Sequence, residues 1–342
     1  MTKSYDIIVI GGGVAGTMAA LRASLYNLRT CLLSGNASDR CRSRAQWVPA
    51  LDDVPGLGGM RYPLSSSANV AFEPLESSPA IAARLTRVKE SADEIVRREK
   101  DFLVSWTKRR RRGAGGKARA REEVKEEVSA PFVLLATGIM DIQPCIQGRI
   151  DPIFPYANAR QALYSLQADG HRVVGQPTVV IGYTDEAAEH ALILRERYEP
   201  PALTLVTHGH PFAGRPERRA SLERVGIDVL ESEITAFEGD ARTTGLRALC
   251  LEQGRIECTR VFVSLGYIVH NRLARRIGAS LDERGFVICD ADGETSCSGL
   301  FVAGDLCSGR PRGVVEAWRD ALIAVEAIDG RVRRRRRTCA ME

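Results

Sequence analysis

Three glycines near the start of the chain are spaced for one kind of chemistry. Gly11, Gly13 and Gly16 follow the β-branched run Ile7-Ile8-Val9-Ile10 and precede a stretch that reads as helix. In that order the first glycine permits a tight turn, the second lets backbone approach a pyrophosphate, and the third lets helix and strand pack closely. A helix beginning there offers free N–H groups and partial positive charge to phosphate. An ordinary structural turn could use the same glycines, but their place after a clear N-terminal strand favours a dinucleotide. The acid expected about twenty residues on to hold a ribose is absent, because Leu32-Leu33 leads into Ser34-Gly35-Asn36. Two later apolar strands also end in glycine turns, at Ala136-Thr137-Gly138 and at Gly304-Asp305.

These residues need elements to position them. The helix after Gly16 reads to about Asn27, and Thr30-Cys31-Leu32-Leu33 closes a first βαβ unit. A second begins at Thr178-Val179-Val180-Ile181-Gly182, continues as helix to about Arg197 and ends in the strand 202–206. The expected fold is α/β, with two doubly wound, Rossmann-like domains, the second inserted in the first. The boundaries are placed at 1–150 and 265–330 for the discontinuous first domain and 151–264 for the second. Residues 39–75 read as loop and 79–99 as a polar helix. Phe102–Trp106 reads as a hairpin arm returning at Phe132–Leu135, around a charged, low-complexity and disordered insertion at 107–128. A last helix runs from about Gly313 to Ile328, followed by a solvated basic tail at 331–342.

The 342 residues are 44% apolar and 27% charged, which suits a globular chain with a sizeable core. No apolar run is long enough to span a bilayer, and no signal peptide precedes the first strand, so the cytoplasm is the expected location. The formal charge of +5 comes from two runs, Arg109 to Arg112 and Arg333 to Arg337; without these nine arginines the remainder carries −4. Runs of this kind read as solvated segments rather than a nucleic-acid surface, with weak attraction to anionic lipid the other option. Nine cysteines, none closer than eight residues to the next, show neither zinc-finger nor C-x-x-C spacing. Cys307 reads as a small buried residue, and Cys339 as a thiol activated by neighbouring arginines. His208-Gly209-His210 reads as a loop pair rather than a metal site, and no metal is expected.

Taken together, the glycine turn, Ala136-Thr137-Gly138 and Gly304-Asp305 resemble the three-part signature of the pyridine nucleotide–disulfide oxidoreductases. The closest likeness is to their low-molecular-weight thioredoxin reductases. The resemblance covers nearly the whole chain except about 59–75 and 107–128, and it implies bound FAD. It implies further that Asp305 bonds the ribityl chain and that Arg312-Gly313-Val314 lies near the flavin ring. The Ser34-Gly35 ending also occurs in this subgroup. A homodimer is implied as well.

Two departures bear on function. The family's C-x-x-C-D-G motif falls on Ser165-Leu166-Gln167-Ala168-Asp169-Gly170, so both redox cysteines are missing while the acid Asp169 remains. A serine hydroxyl has no accessible anion near neutral pH and forms no disulfide, so disulfide exchange cannot run through Ser165 and Ala168. The second glycine triplet becomes Gly182, Thr184 and Ala187, with Tyr183, Asp185 and Glu186 in the turn. The arginines that grip the NADPH 2′-phosphate fall on His208, Gly209 and Ala213. NADPH is therefore not expected, and the resemblance shifts toward the diflavin-linked disulfide oxidoreductases, which implies room for a second FAD. The redox partner, small molecule or protein, is not identified by these residues. The rival reading is a non-catalytic flavin-binding sensor or interaction module.

Overall fold

The computed structural model describes residues 2–36, 43–44, 52–55, 72, 75, 78–111 and 121–339. In chain order the first stretch holds β1 (Lys3–Ser4), β2 (Ile7–Ile10), α1 (Val14–Leu25), β3 (Thr30–Leu33), α2 (Pro79–Ala82), β4 (Leu85–Val88), β5 (Glu94–Arg97), β6 (Phe102–Arg111), β7 (Arg121–Ala130), β8 (Phe132–Leu135) and β9 (Ile139–Asp141). The middle holds α3 (Phe154–Asn158), β10 (Ala162–Leu163), α4 (Leu166–Asp169), β11 (Thr178–Ile181), α5 (Asp185–Tyr198), β12 (Leu203–Val206), α6 (Pro216–Arg224) and β13 (Asp228–Leu230). It continues with β14 (Ile234–Asp240), β15 (Gly245–Leu251), β16 (Gly254–Glu257), β17 (Arg260–Val263) and β18 (Tyr267–Val269). The chain closes with α7 (Arg272–Arg276), β19 (Leu300–Val302) and α8 (Val314–Cys339). Two compact units result: 1–43, 64–139 and 269–342 form the first, and 44–63 with 140–268 the second. The chain crosses at 139/140 and 268/269, rather than at 150 and 265.

In the first unit a parallel sheet runs in the order β19-β8-β2-β3-β4, and a smaller sheet in the order β1-β7-β6-β5. Alternation along β2 shows why the sheet is covered on both faces. Ile8 and Ile10 pack with Val104, Trp106 and Val128 of the smaller sheet. Ile7 and Val9 face Ala19, Ala20 and Ala23 of α1 and Ala321, Ala324 and Ile328 of α8. Side chains alternate between faces with period two, so a β-branched run buried throughout suits this central strand. The second unit repeats the plan with the parallel order β10-β17-β11-β12-β13 and an antiparallel sheet β14-β15-β16. There Val180 packs toward Ala187, Ala188 and Ala191 of α5, and Val179 and Ile181 toward Ile234 and Leu249.

Three expectations are corrected. The segment 79–99 is a single turn of helix followed by strands β4 and β5, not a helix. Ile95 is buried between exposed Glu94 and Val96, so its alternation follows the strand period despite the charge density. The arm beginning at Phe102 returns through β7, while β8 pairs in parallel with β2. The charged insertion thus forms both arms of a long hairpin, whose register sets Lys108 opposite Val124 and Arg109 opposite Glu123; its tip, 112–120, lies outside the described residues. The basic tail is helical to Cys339. Arg331 bonds Glu294 and lies 5.2 Å over the Phe301 ring, Arg335 lies 5.0 Å over Phe132, and Arg336 reaches Asp6 at 2.9 Å. Side-chain stems and cation–π contacts hold these arginines to the unit instead of leaving them to solvent. The loop expectation for 39–75 falls mostly outside the described residues.

Candidate functional site

The first glycine turn fits the role its spacing suggests. Gly11 has φ +117°, and a Cβ there would lie 2.2 Å from the Ala136 carbonyl oxygen. A Cβ on Gly16 would lie 1.9 Å from the Gly11 carbonyl oxygen. Gly12, not singled out in the sequence, is also required, because its Cβ position is filled by Ser34. Gly13 is different: a Cβ there would meet nothing within 4 Å. It is the residue before α1, and its side of the helix start has no side-chain cap. Backbone N–H groups at an uncapped helix start, beside open space, form an anion cradle.

The other parts of the signature surround that turn. Thr137 donates its hydroxyl to the His270 carbonyl at 2.7 Å, fixing the turn that ends in Gly138 (φ +64°). Gly138, like Gly13, has open space where a Cβ would be. Gly304 has φ +75° and approaches α1 so closely that a Cβ would lie 2.9 Å from that of Ala15. Asp305, half-buried in the single 3₁₀ turn Gly304–Leu306, is thereby carried to the first turn of α1. Arg312 is stacked 4.3 Å from the Phe286 ring centre, just before Gly313 and the start of α8 at Val314. Ser34 donates to the Val88 carbonyl at 3.2 Å, ending β3 without an acid. The residues present therefore fit a dinucleotide such as FAD.

Next to this cradle lies a thiol pair that spacing could not reveal. Cys307 is buried, and the neighbouring Cys289 thiol together with that burial pushes the Cys307 thiol well above the ordinary range. The Cys307 neighbour in turn pulls Cys289 down, with a smaller contribution from the Arg310 guanidinium. Arg310 is held by buried Asp320 at 2.9 Å. Cys339 lies in the last turn of α8.

In the second unit the stretch matching the lost cysteines forms a helical turn. Ser165 caps α4, its Oγ accepting from the Ala168 N–H at 3.3 Å. Asp169 accepts from the Tyr164 and Ser165 N–H groups at 3.2 and 3.3 Å, yet burial raises its carboxyl above the ordinary range. Around it, Tyr164 donates to Gln143 at 2.7 Å, and Arg44 donates to the Tyr164 carbonyl at 2.8 Å. Arg44 also pairs with buried Asp141 at 3.3 Å. Arg44, Gln143 and Tyr164 escaped sequence reading because their positions match no motif and only the fold joins them.

The second glycine turn is closed by its own side chains. Gly182 keeps the tight approach: a Cβ would lie 2.4 Å from the Ser264 carbonyl oxygen. Thr184 caps α5 by accepting from the Ala187 N–H at 3.4 Å. Asp185 accepts from the Arg215 N–H at 2.8 Å and its Nε at 2.7 Å, and these bonds hold the carboxyl below its ordinary range. The loop meant for a 2′-phosphate folds over this turn. The Ala213 N–H donates to the Tyr183 carbonyl at 2.7 Å, and His210 stacks on the Tyr183 ring at 4.3 Å. His208 accepts from the Ile234 N–H through Nδ1 at 3.1 Å and bonds the Cys145 carbonyl through Nε2. Both ring nitrogens are used, and burial lowers its pKa, so it stays neutral and offers no metal ligand. Among the described residues no cluster could hold a metal ion.

A parallel sheet, an uncapped glycine turn and an acid carried to it define an α/β protein of the dinucleotide-binding oxidoreductase class. A family model described as pyridine nucleotide-disulphide oxidoreductase matches residues 5–321. The chain belongs to that family, and within it is a thioredoxin reductase-like, FAD-dependent oxidoreductase. The thioredoxin reductase of Treponema pallidum is 24% identical over 335 residues, covering 96% of this chain and 97% of that one. A ferredoxin–NADP reductase of Symbiobacterium thermophilum is also 24% identical, with 94% and 91% covered. The solved thioredoxin reductase of Streptococcus pyogenes superposes with a TM-score of 0.76 at 20% identity, over 96% of this chain and 98% of that one. No helix among the described residues is long and apolar enough to cross a membrane.

Proposed function

We propose that this chain is an oxidoreductase holding one FAD in its first unit and exchanging electrons with a partner other than NADPH or a dithiol at Ser165 and Ala168. The observation that carries the reading is the contrast between the open turn at Gly13 and the turn closed by Thr184, Asp185 and Tyr183. FAD supplies the redox step when bound, and the protein supplies its seat and electrostatics. With FAD bound, the α1 N–H groups would hold the pyrophosphate, Asp305 the ribityl chain and Arg312 the neighbourhood of the flavin ring, while the turns at Thr137-Gly138 and Ser34 would shape the seat.

A relative named for NADP stands against the loss of NADPH, but a phosphate entering the second turn would meet two acids and a side-chain cap. The same groups oppose a second FAD pyrophosphate, so one flavin is favoured over the two that the diflavin likeness suggested. With a hydroxyl and a methyl at 165 and 168, the acceptor is reached without an internal disulfide. A relative named for ferredoxin supports an electron-transfer partner of that kind. Homodimerisation and a cytoplasmic place, peripheral to a membrane or not, remain with the family likeness.

Flavin released by denaturation is expected at one per chain, with NADPH causing no saturable change in the flavin spectrum below millimolar concentration. Two flavins per chain, or micromolar NADPH binding, overturns the reading. Loss of the thiols also fits the sensor alternative; rapid turnover with a quinone after photoreduction sets that alternative aside.

A further inference from the structure

The arginines at the end of α8 line, with the β5–β6 turn, a half-open surface cavity of about 280 Å³ whose residues all belong to the first unit. Its wall carries Arg97, Arg98, Lys100, Arg331, Arg334 and Arg335 against only two acids, Glu99 and Asp101, a net of four positive charges. Two of the cations are neutralised. Arg98 forks onto Asp101, both bonds at 2.7 Å, and closes the turn, while Arg331 is held by Glu294. Two of the other four are oriented without neutralisation. Arg97 donates to the Ser298 carbonyl at 2.8 Å, and Arg335 lies over the Phe132 ring. Among the described residues no carboxylate pairs with Arg97, Lys100, Arg334 or Arg335.

We infer that this cavity is a binding site for a small polyphosphate anion, inorganic or carried by a nucleotide and gripped through its phosphates. Concave walls of one charge focus the field, and arginine forks match phosphate oxygens in pairs. The size admits a short phosphate chain. Nucleic acid is disfavoured because Phe102 and Phe132 are 2% and 3% exposed and already carry arginines, leaving no face for a base to stack on.

The test is calorimetric titration of the flavin-loaded protein with sodium triphosphate at about 0.15 M salt, where exposed charges are well screened, with sulfate as control. Saturable binding of triphosphate well above sulfate is expected, weakened at least tenfold by Arg334→Glu with Lys100→Glu and by raised salt. ATP binding as tightly as triphosphate assigns the grip to the phosphates alone. If the double variant unfolds, as judged by circular dichroism, Lys100→Ala is used, with a severalfold loss expected. No binding at 1 mM triphosphate, binding unchanged in a folded variant, or a short RNA preferred over triphosphate each overturns the inference.

Discussion

The turns at Gly11–Gly16 and Gly182–Ala187 sit at equivalent places, each between a four-residue buried parallel strand and a long helix. Both keep the first glycine for the same reason, a carbonyl oxygen within 2.4 Å of where a Cβ would stand. They part at the third position of the motif. At Gly13 there is open space and an uncapped helix start; at Thr184 a hydroxyl takes the N–H group a phosphate would use, and Asp185 follows with its charge already spent on Arg215. A glycine that packs strand against helix is thus a fold requirement, whereas at Gly13 neither packing nor backbone angle demands glycine, and the open space suits a ligand. The second unit kept the first kind and lost the second.

Breaking one close-packed glycine in each unit should separate these roles, with the largest effects. Gly16→Ala sets a Cβ 1.9 Å from the Gly11 carbonyl; overpacking of this kind costs about 1–3 kcal/mol. Expressed at the cradle, about 2 kcal/mol is roughly thirtyfold in flavin affinity, read from flavin retained on dialysis. Gly182→Ala should lower Tm comparably while leaving flavin per folded chain unchanged. Equal flavin loss in both variants would erase the distinction.

A smaller effect is expected from reopening the second turn. Asp185→Ala frees Arg215 and removes an acid from the helix start, so NADPH binding should strengthen by up to about tenfold, which corresponds to about 1.4 kcal/mol. Fluorescence titration of the flavin-loaded protein checks it; weaker binding would mean that Arg215 does not point its charge at the turn.

Thiol chemistry gives the next prediction. Cys289 is half-buried but lowered, and Cys307 is buried and raised. Iodoacetamide should therefore modify Cys289 before Cys307, and faster as pH rises toward the ordinary thiol range, as followed by mass spectrometry of peptides. Labelling of Cys307 first would contradict the assignment. The smallest effect concerns Asp169. Its folded-state pKa is raised by burial, so its stabilising contribution is full below the ordinary carboxyl value of 3.8 and is lost as pH rises through the folded value. Asp169→Asn should consequently be more stable than the parent at pH 7, with the advantage shrinking as pH falls. Denaturant midpoints at pH 7 and 4 measure it.

Much of this was legible in the sequence because local signals and global roles agreed. The β-branched strands at Ile7 and Thr178, the glycines after them and Gly304-Asp305 each state a backbone requirement that only a few residue types satisfy. The departures were legible too, since Ser165, Ala168 and Thr184 are identities, not geometry. What escaped was set by partners far along the chain. Arginines 331–336 read as a tail because their anchors, Glu294, Phe132 and Asp6, lie about 40 to 330 residues away. The hairpin strands β6 and β7 read as disorder because their charge density hides a register visible only when the arms are paired. Gln143, Tyr164 and Arg44 cluster around Asp169 through tertiary contacts that no spacing encodes.

The most direct test of the asymmetry is a paired assay on one preparation: flavin counted per chain after denaturation, and NADPH titrated into the flavin-loaded protein. One flavin with no saturable NADPH response is the predicted result. A second equivalent of flavin, or NADPH bound at micromolar concentration, would show the closed turn to be open after all.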